Sequence, residues 1–479
     1  MKKIFTCLAI LFAINQGNAQ DITGSWLGSV PIGGGSLKLV FNISKTSDTA
    51  YSSTFDSPDQ KAFGIACNRI YKKKDSLFIG IQIIKGGYNG IWDGKDNISG
   101  TFKQGSHEVT LNLKRISENE KKEIANGPSR PQTPKPPFGY HTEDVEYDNA
   151  DKSLHYGATF TRPNGSEKYP AVIIITGSGT QDRDGTIFGH KLYWVLADYL
   201  TKNGIAVLRV DDRGAGKSTK GNIEKATSLD FSYDVETSLN YLETRGDVDV
   251  KHLGLIGHSE GGIIAPMVAT RRNDVSFIVM WGAPETGGAE INTEQNIYSL
   301  QKAGLDSLSI SSFASLHKKI LNLFAGAETQ QILDKKIADV FSAWKKDQSP
   351  GTLSALGIKD NTLMGQDLFT VYDGLYNMPW MRFFIIYKPG KDLEKVHCPV
   401  LAVNGAKDTQ VDAKSNLAEI KAILKKNGNK DFETVEIPNV NHLLQTAVTG
   451  DVSEYEKTAE TMSPTALNII CTWIKLHIQ

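Results

Sequence analysis

The stretch "HLGLIGHSEGGIIAP" constrains the fold more than any other part of this chain. An unbroken apolar run leads into Gly257, His258, Ser259, Glu260 and Gly261, and a second apolar run follows at once. The first run reads as a buried strand and the second as the start of a helix. Only a very tight turn joins them, and such a turn requires small residues two before and two after the serine. Gly257 and Gly261 meet that requirement. A serine placed there is held in a strained conformation with its hydroxyl above the sheet edge. The amide of Glu260 faces the same space at a helix N-terminus, where it can bind an oxyanion.

The surrounding pattern supplies the sheet. Short apolar runs, "AVIIITG", "IAVLRVD", "LGLIG" and "SFIVMWG", alternate with helical patterns such as "KLYWVLADYLTKNG". Alternation of this kind predicts a doubly wound, mostly parallel sheet with helices on both faces. From about residue 285 to 391 the strands give way to amphipathic helical patterns, which read as a cap inserted into the sheet. "PVLAVNG" and "FETVEIP" then resume the sheet, and "SPTALNIICTWIKLHI" closes it with a helix.

A serine hydroxyl needs a base to take its proton, and an imidazole needs a carboxylate to fix its tautomer. On a parallel sheet with this turn, acid and then base are expected on loops after later strands. Asp408 follows "CPVLAVNG" directly. Asp412, its competitor, stands where a helix cap belongs. Only His442 and His477 lie beyond Asp408, and His477 sits at the end of the last helix. The reading is therefore a Ser259, Asp408, His442 triad. The second oxyanion donor is expected in "TGSGTQDRDG", at the amide of Ser178. His258 is too close to Ser259 on the turn to serve as its base and is assigned to packing. The Glu260 side chain is assigned to the helix dipole. Arg183 is read as holding its loop with Asp182 and Asp184, the alternative being a reader of substrate carboxylate. "DDRGAGKST" imitates a phosphate-binding loop, but Asp211 stands where its first glycine belongs.

Residues 21–115 differ in kind. "SLKLVFNIS", "SLFIGIQII" and "HEVTLNLKR" alternate with period two between turn residues, predicting a small all-β domain, sandwich or barrel. Residues 116–139 open charged and end rich in proline, and are read as a linker to the catalytic domain at 140–479. Residues 1–19, with Lys2, Lys3, an apolar run and Ala19, read as a cleaved signal peptide, so the mature chain is expected in the periplasm or outside the cell. The run is shorter than the roughly 20 apolar residues that span a bilayer, so no membrane anchor is expected. A formal net charge of -1 gives no reason to expect nucleic acid. The mature chain's three scattered cysteines give neither a disulfide framework nor a zinc spacing, and no metal or organic cofactor is expected.

With these residues in view, the chain from about Tyr140 onward resembles bacterial exported serine esterases of the α/β-hydrolase fold, in the branch near serine aminopeptidases and cinnamoyl esterases. "GSGTQDRDG", "RVDDRGAGKS", "GHSEGG", "PWMRFFIIYKP", "CPVLAVNGAKDTQV" and "NHLLQTAVTG" carry the resemblance. It implies Ser259, Asp408 and His442 as the triad, under a helical cap. The chain departs from the wider fold in carrying Thr176 before Gly177, where many relatives carry histidine. The expected activity is cleavage of small-molecule carboxylic esters through an acyl-enzyme on Ser259. An aminopeptidase or acyl-peptidase with the same triad is the alternative. A second alternative is a degenerate hydrolase that binds carbohydrate or lipid through its β domain. Trp380, Met381, Phe383 and Phe384 in the cap are candidates for the wall of an apolar acyl pocket, or for ordinary packing.

Overall fold

The computed structural model describes residues 21–32, 35–105, 107–127, 129–326 and 329–478. The signal-peptide stretch at 1–19 lies outside them. The chain divides into two compact units, Met1–Pro128 and Ser129–Gln479.

The first unit is a ten-stranded sheet in which neighbouring strands run antiparallel. Cys67 donates its amide to the Ser53 carbonyl at 3.0 Å, and the next residue, Asn68, donates to Gly80 at 3.0 Å. Consecutive residues thus join both ends of the strand order, and the sheet rolls around one core. Trp26, Phe41, Phe55, Tyr88 and Phe102 fill it. Of the sandwich and the barrel, the barrel-like arrangement is the one found.

The segment read as a linker behaves differently in its two halves. Its charged half, Glu118–Asn126, is a helix. Ser117 and Glu120 form a reciprocal capping box that satisfies the first amides, which offsets the poor intrinsic propensity of so polar a stretch. The proline-rich half is docked on the second unit rather than free. Arg130 donates to the carbonyls of Phe188, Glu456 and Thr458, and Gln132 donates to that of Met462.

The second unit is built on an eight-stranded sheet. Its strands are β1 His141–Asp148, β2 His155–Arg162, β3 Tyr169–Ile175, β4 Ala206–Val210, β5 Val248–His258, β6 Val275–Trp281, β7 Val400–Gly405 and β8 Phe432–Ile437. Their order across the sheet is β1-β2-β4-β3-β5-β6-β7-β8. All pairs from β4 to β8 are parallel, and β2 runs antiparallel to both its neighbours. That is the α/β-hydrolase fold.

Side-chain alternation shows why the strands read as continuous apolar runs. In β3, Ala171, Ile173 and Ile175 enter the core on one face, with helices α2 (Ser228–Glu243), α3 (Glu260–Ala269) and α5 (Ala413–Lys426). Val172 and Ile174 enter the core on the other, with α1 (Leu192–Lys202) and α6 (Pro464–Leu476). Helices from Gly288–Lys302 to α4, Pro379–Ile386, lie between β6 and β7 in sequence. They have a core of their own around Phe313, Leu316, Phe324, Ile337 and Tyr372.

Where the chain leaves β6 for these helices, Glu285 is buried, and neither carboxyl oxygen has a partner among the described residues. Burial, with Glu419 and Asp392 nearby, pushes its pKa from 4.5 up to about 8. Between those values the folded protein keeps a proton that the unfolded chain releases, so the cost of this group grows as pH rises. Glu285→Gln is therefore expected to raise the melting temperature at pH 8, by an amount on the order of 2 kcal/mol of stability. The gain should shrink towards pH 5. Calorimetry of both proteins at the two pH values checks this, and a gain that did not change with pH would contradict it.

Candidate active site

Ser259 stands between β5 and α3 with φ 53° and ψ −118°, a conformation that costs energy for any residue with a Cβ. Its amide donates to the Trp281 carbonyl at 2.7 Å, and its carbonyl accepts from Gly262 at 2.8 Å. A side chain at Gly257 would overlap the backbone of Gly261 and Gly262, so the turn closes only with glycine there. These constraints turn a short motif into a fixed hydroxyl position.

The loop after β8 carries His442. Asn441 shapes it: its Oδ1 accepts from the amides of Leu443 and Gln445, both at 3.0 Å. The loop after β7 carries Asp408 and is tied to the first by the Lys407 amide donating to Val440 at 3.0 Å. His442 Nδ1 lies 2.7 Å from Asp408 Oδ2, with both side chains buried. Asp408 Oδ1 accepts from the amides of Gln410 and Val411 at 2.8 and 2.9 Å. With Nδ1–H donated to Asp408, Nε2 is left bare as a proton acceptor. Asp412 instead caps α5, accepting from the Ser415 amide at 2.8 Å. His477 is occupied elsewhere, with Asp431 at 3.1 Å and the Trp473 carbonyl at 2.7 Å.

Ser259, His442 and Ser178 line one cavity of about 290 Å³ together with Trp380, Met381 and Phe384 from α4. Phe383 stacks on Tyr387 instead, with ring centroids 5.2 Å apart. The Gly177 amide donates to the Tyr193 hydroxyl at 3.1 Å, so the loop's next amide, that of Ser178, is its candidate for the oxyanion. Arg183 is engaged by Asp211 at 2.6 Å and Asp144 at 3.2 Å, which makes it a scaffold of this loop. In the stretch that imitates a phosphate loop, Lys217 pairs with Glu146.

His258 packs where it was placed. Its ring centroid lies 4.1 Å from that of Trp281, and its Nδ1 lies 3.1 Å from the Tyr193 hydroxyl. Burial, and next the neighbouring His442, hold its pKa well below the ordinary value, so the ring is neutral. The reading of Glu260 needs correction. Its carboxylate is no bystander at a helix dipole: it is buried and accepts from Ser228 Oγ at 2.6 Å and from Trp380 Nε1 at 2.7 Å. Burial raises its pKa, and bonds from Ser228, Trp380 and Ser178 oppose the rise. Glu260 thus ties the cap helix to the elbow.

Other contributors carried no signal in the sequence. Trp281 donates from Nε1 to the His442 carbonyl at 3.0 Å and so fixes the loop of the base. Gly282, with φ 58°, leaves room for the imidazole: a Cβ there would stand 3.0 Å from His442 Cε1. Trp281 ends β6 and Gly282 follows it, next to the elbow strand, and that adjacency becomes visible only once strand order is known. No group of side chains among the described residues is arranged to hold a metal ion, and no described helix is long and apolar enough to cross a membrane.

Comparison with known proteins places part of this unit. A family model described as serine aminopeptidase, S33, matches residues 188–303. Esterase EstD of Thermotoga maritima is 32% identical over 151 residues, 31% of this chain and 34% of that protein. Human dipeptidyl peptidase 8 is 30% identical over 125 residues, 25% of this chain and 14% of that protein. Among solved structures, the Pyrococcus furiosus esterase Pf2001 overlays with a TM-score of 0.42 at 15% identity, covering 74% of this chain and 98% of its own.

Proposed function

We propose that the protein is a serine hydrolase that cleaves small-molecule carboxylic esters through an acyl-enzyme on Ser259. The observation that carries this reading is the 2.7 Å pair of Asp408 and His442, whose histidine lines the same cavity as Ser259 at a strained strand-to-helix turn. His442 Nε2 takes the proton as Ser259 Oγ attacks the acyl carbon. The amides of Glu260 and Ser178 hold the resulting oxyanion, each contributing about 3 kcal/mol to the transition state. The ester C–O bond then breaks, and the alcohol leaves with the proton from His442. A water deprotonated by His442 attacks the acyl-enzyme, the acid departs, and Ser259 recovers its proton.

Ester rather than peptide is supported by the esterase relative and by the state of the acids near the nucleophile. A peptidase that trims N-termini needs an anion free to receive the substrate's ammonium group. Glu260 is instead bonded to Ser228 and Trp380. Asp212 is bonded to the Thr176 hydroxyl and the Gln181 amide, with burial raising its pKa to about 7. The aminopeptidase reading draws on the description of the matched family model. A panel of p-nitrophenyl esters and aminoacyl anilides, with Ser259→Ala as control, separates the two. The expected result is higher kcat/KM on the esters; higher values on the anilides would replace this reading with the peptidase. Residues 1–19 support export, to be tested by N-terminal sequencing of the protein recovered outside the cytoplasm, with Gln20 as the expected first residue.

A further inference from the structure

A second cavity, of about 320 Å³, lies against the first and shares Gly177 and Trp380 with it. Ile175, Val210, Ile223, Ala226, Phe231 and Val235 give it an apolar wall, and Glu260 also borders it. Its volume falls at the lower end of the roughly 300–1,000 Å³ usual for small-molecule sites.

Sheet order says which part of a substrate belongs there. Ser259 follows β5. Asp408 and His442 come from the loops after β7 and β8, which lie on the β6 side of β5. The second cavity is walled by β3 and the end of β4, which lie on the opposite side of β5, and by residues 231–238 of α2. The leaving alcohol must receive its proton from His442, so it departs on the β6 side. The acyl chain points the other way.

Resting on the esterase reading, we propose that this second cavity is the acyl site, and that it takes an uncharged, predominantly hydrocarbon acyl group. Charge in the wall favours that class over an anionic one. Its ionisable residues are Asp211, Asp212, Asp234 and Glu260 against Arg213. Arg213 is held by Asp234 through two bonds of 2.7 Å, which leaves it oriented away from the role of reading a second carboxylate. With Arg213 engaged, a carboxylate on the acyl chain would enter a mostly apolar space without a counter-charge in its wall.

The test fills the cavity from two independent positions. Ala226→Leu adds bulk from the buried end of its loop, and Ile223→Trp adds bulk from the half-buried part of the same loop. Each variant and the unaltered enzyme are assayed on p-nitrophenyl acetate, butyrate, octanoate and hemisuccinate, and on an acetate series with lengthening alcohols. The octanoate-to-acetate ratio of kcat/KM is expected to fall roughly ten-fold in both variants, with no such change along the alcohol series. The unaltered enzyme is expected to prefer butyrate to its anionic analogue, the hemisuccinate. An equal fall on acetate and octanoate, no fall on either, or a fall along the alcohol series would overturn the acyl assignment while leaving ester hydrolysis intact. Absence of ester turnover in the unaltered enzyme would instead remove the esterase reading itself.

Discussion

Ser259→Ala is expected to lower ester turnover by roughly four orders of magnitude or more, leaving only what binding and the oxyanion amides supply. The substitution removes one oxygen and nothing else of consequence. The elbow is set by backbone contacts, with the Ser259 amide on Trp281 and its carbonyl receiving Gly262, and alanine keeps both. Its φ of 53° is no worse for alanine than for serine. The melting temperature should therefore stay close to that of the parent, so that the loss is read as chemistry and not as unfolding. Turnover within ten-fold of the parent would show that another group carries the attack.

Asp408→Asn is expected to lower kcat by about three to four orders of magnitude. The cause lies in the direction the amide must take. Asp408 Oδ1 is pinned by the amides of Gln410 and Val411, and only an oxygen can accept them. The asparagine would keep its oxygen there and turn its NH₂ towards His442 Nδ1. That nitrogen must then accept, the ring proton moves to Nε2, and the base faces Ser259 in the wrong tautomer. Asp412→Ala is the contrast. It removes the cap of α5 and should cost about 1 kcal/mol of stability with kcat nearly unchanged. Parallel kcat and melting measurements on the two variants check the pair; equal catalytic losses would contradict the assignment.

The positions of the candidate groups were more legible in the sequence than the contacts around them. Ser259 and Asp408 could be proposed because each follows a buried strand, and apolar periodicity marks strands well; His442 follows β8, an edge strand with one buried residue, and is singled out because His477 is the only other histidine beyond Asp408. Asp412 could be set apart because it stands one residue before a helix. Strands β1 and β2 were harder: β1 is "HTEDVEYD", an edge strand whose half-buried residues alternate with exposed ones, and it offers no apolar run. The helix at Glu118–Asn126 is hard to read because the stretch is polar and runs into proline, and only the Ser117–Glu120 box marks it. The bonds of the Glu260 side chain have no local sign because its partners, Ser228 and Trp380, come from far along the chain. No local pattern announces a bond between a carboxylate and an indole 120 residues away. The same holds for Trp281 beneath the loop of His442 and for the cavity on the β3 side. Each depends on which strands are neighbours, and that is a property of the folded sheet.

Reaction of the full-length protein with a fluorophosphonate, followed by proteolysis and mass mapping, tests the central claim most directly. The reagent forms a stable phosphonyl ester only with a serine whose proton is taken by a working base. The account predicts one adduct, on Ser259, absent in Ser259→Ala and strongly slowed in Asp408→Asn. No adduct, or an adduct on a different serine, would contradict it.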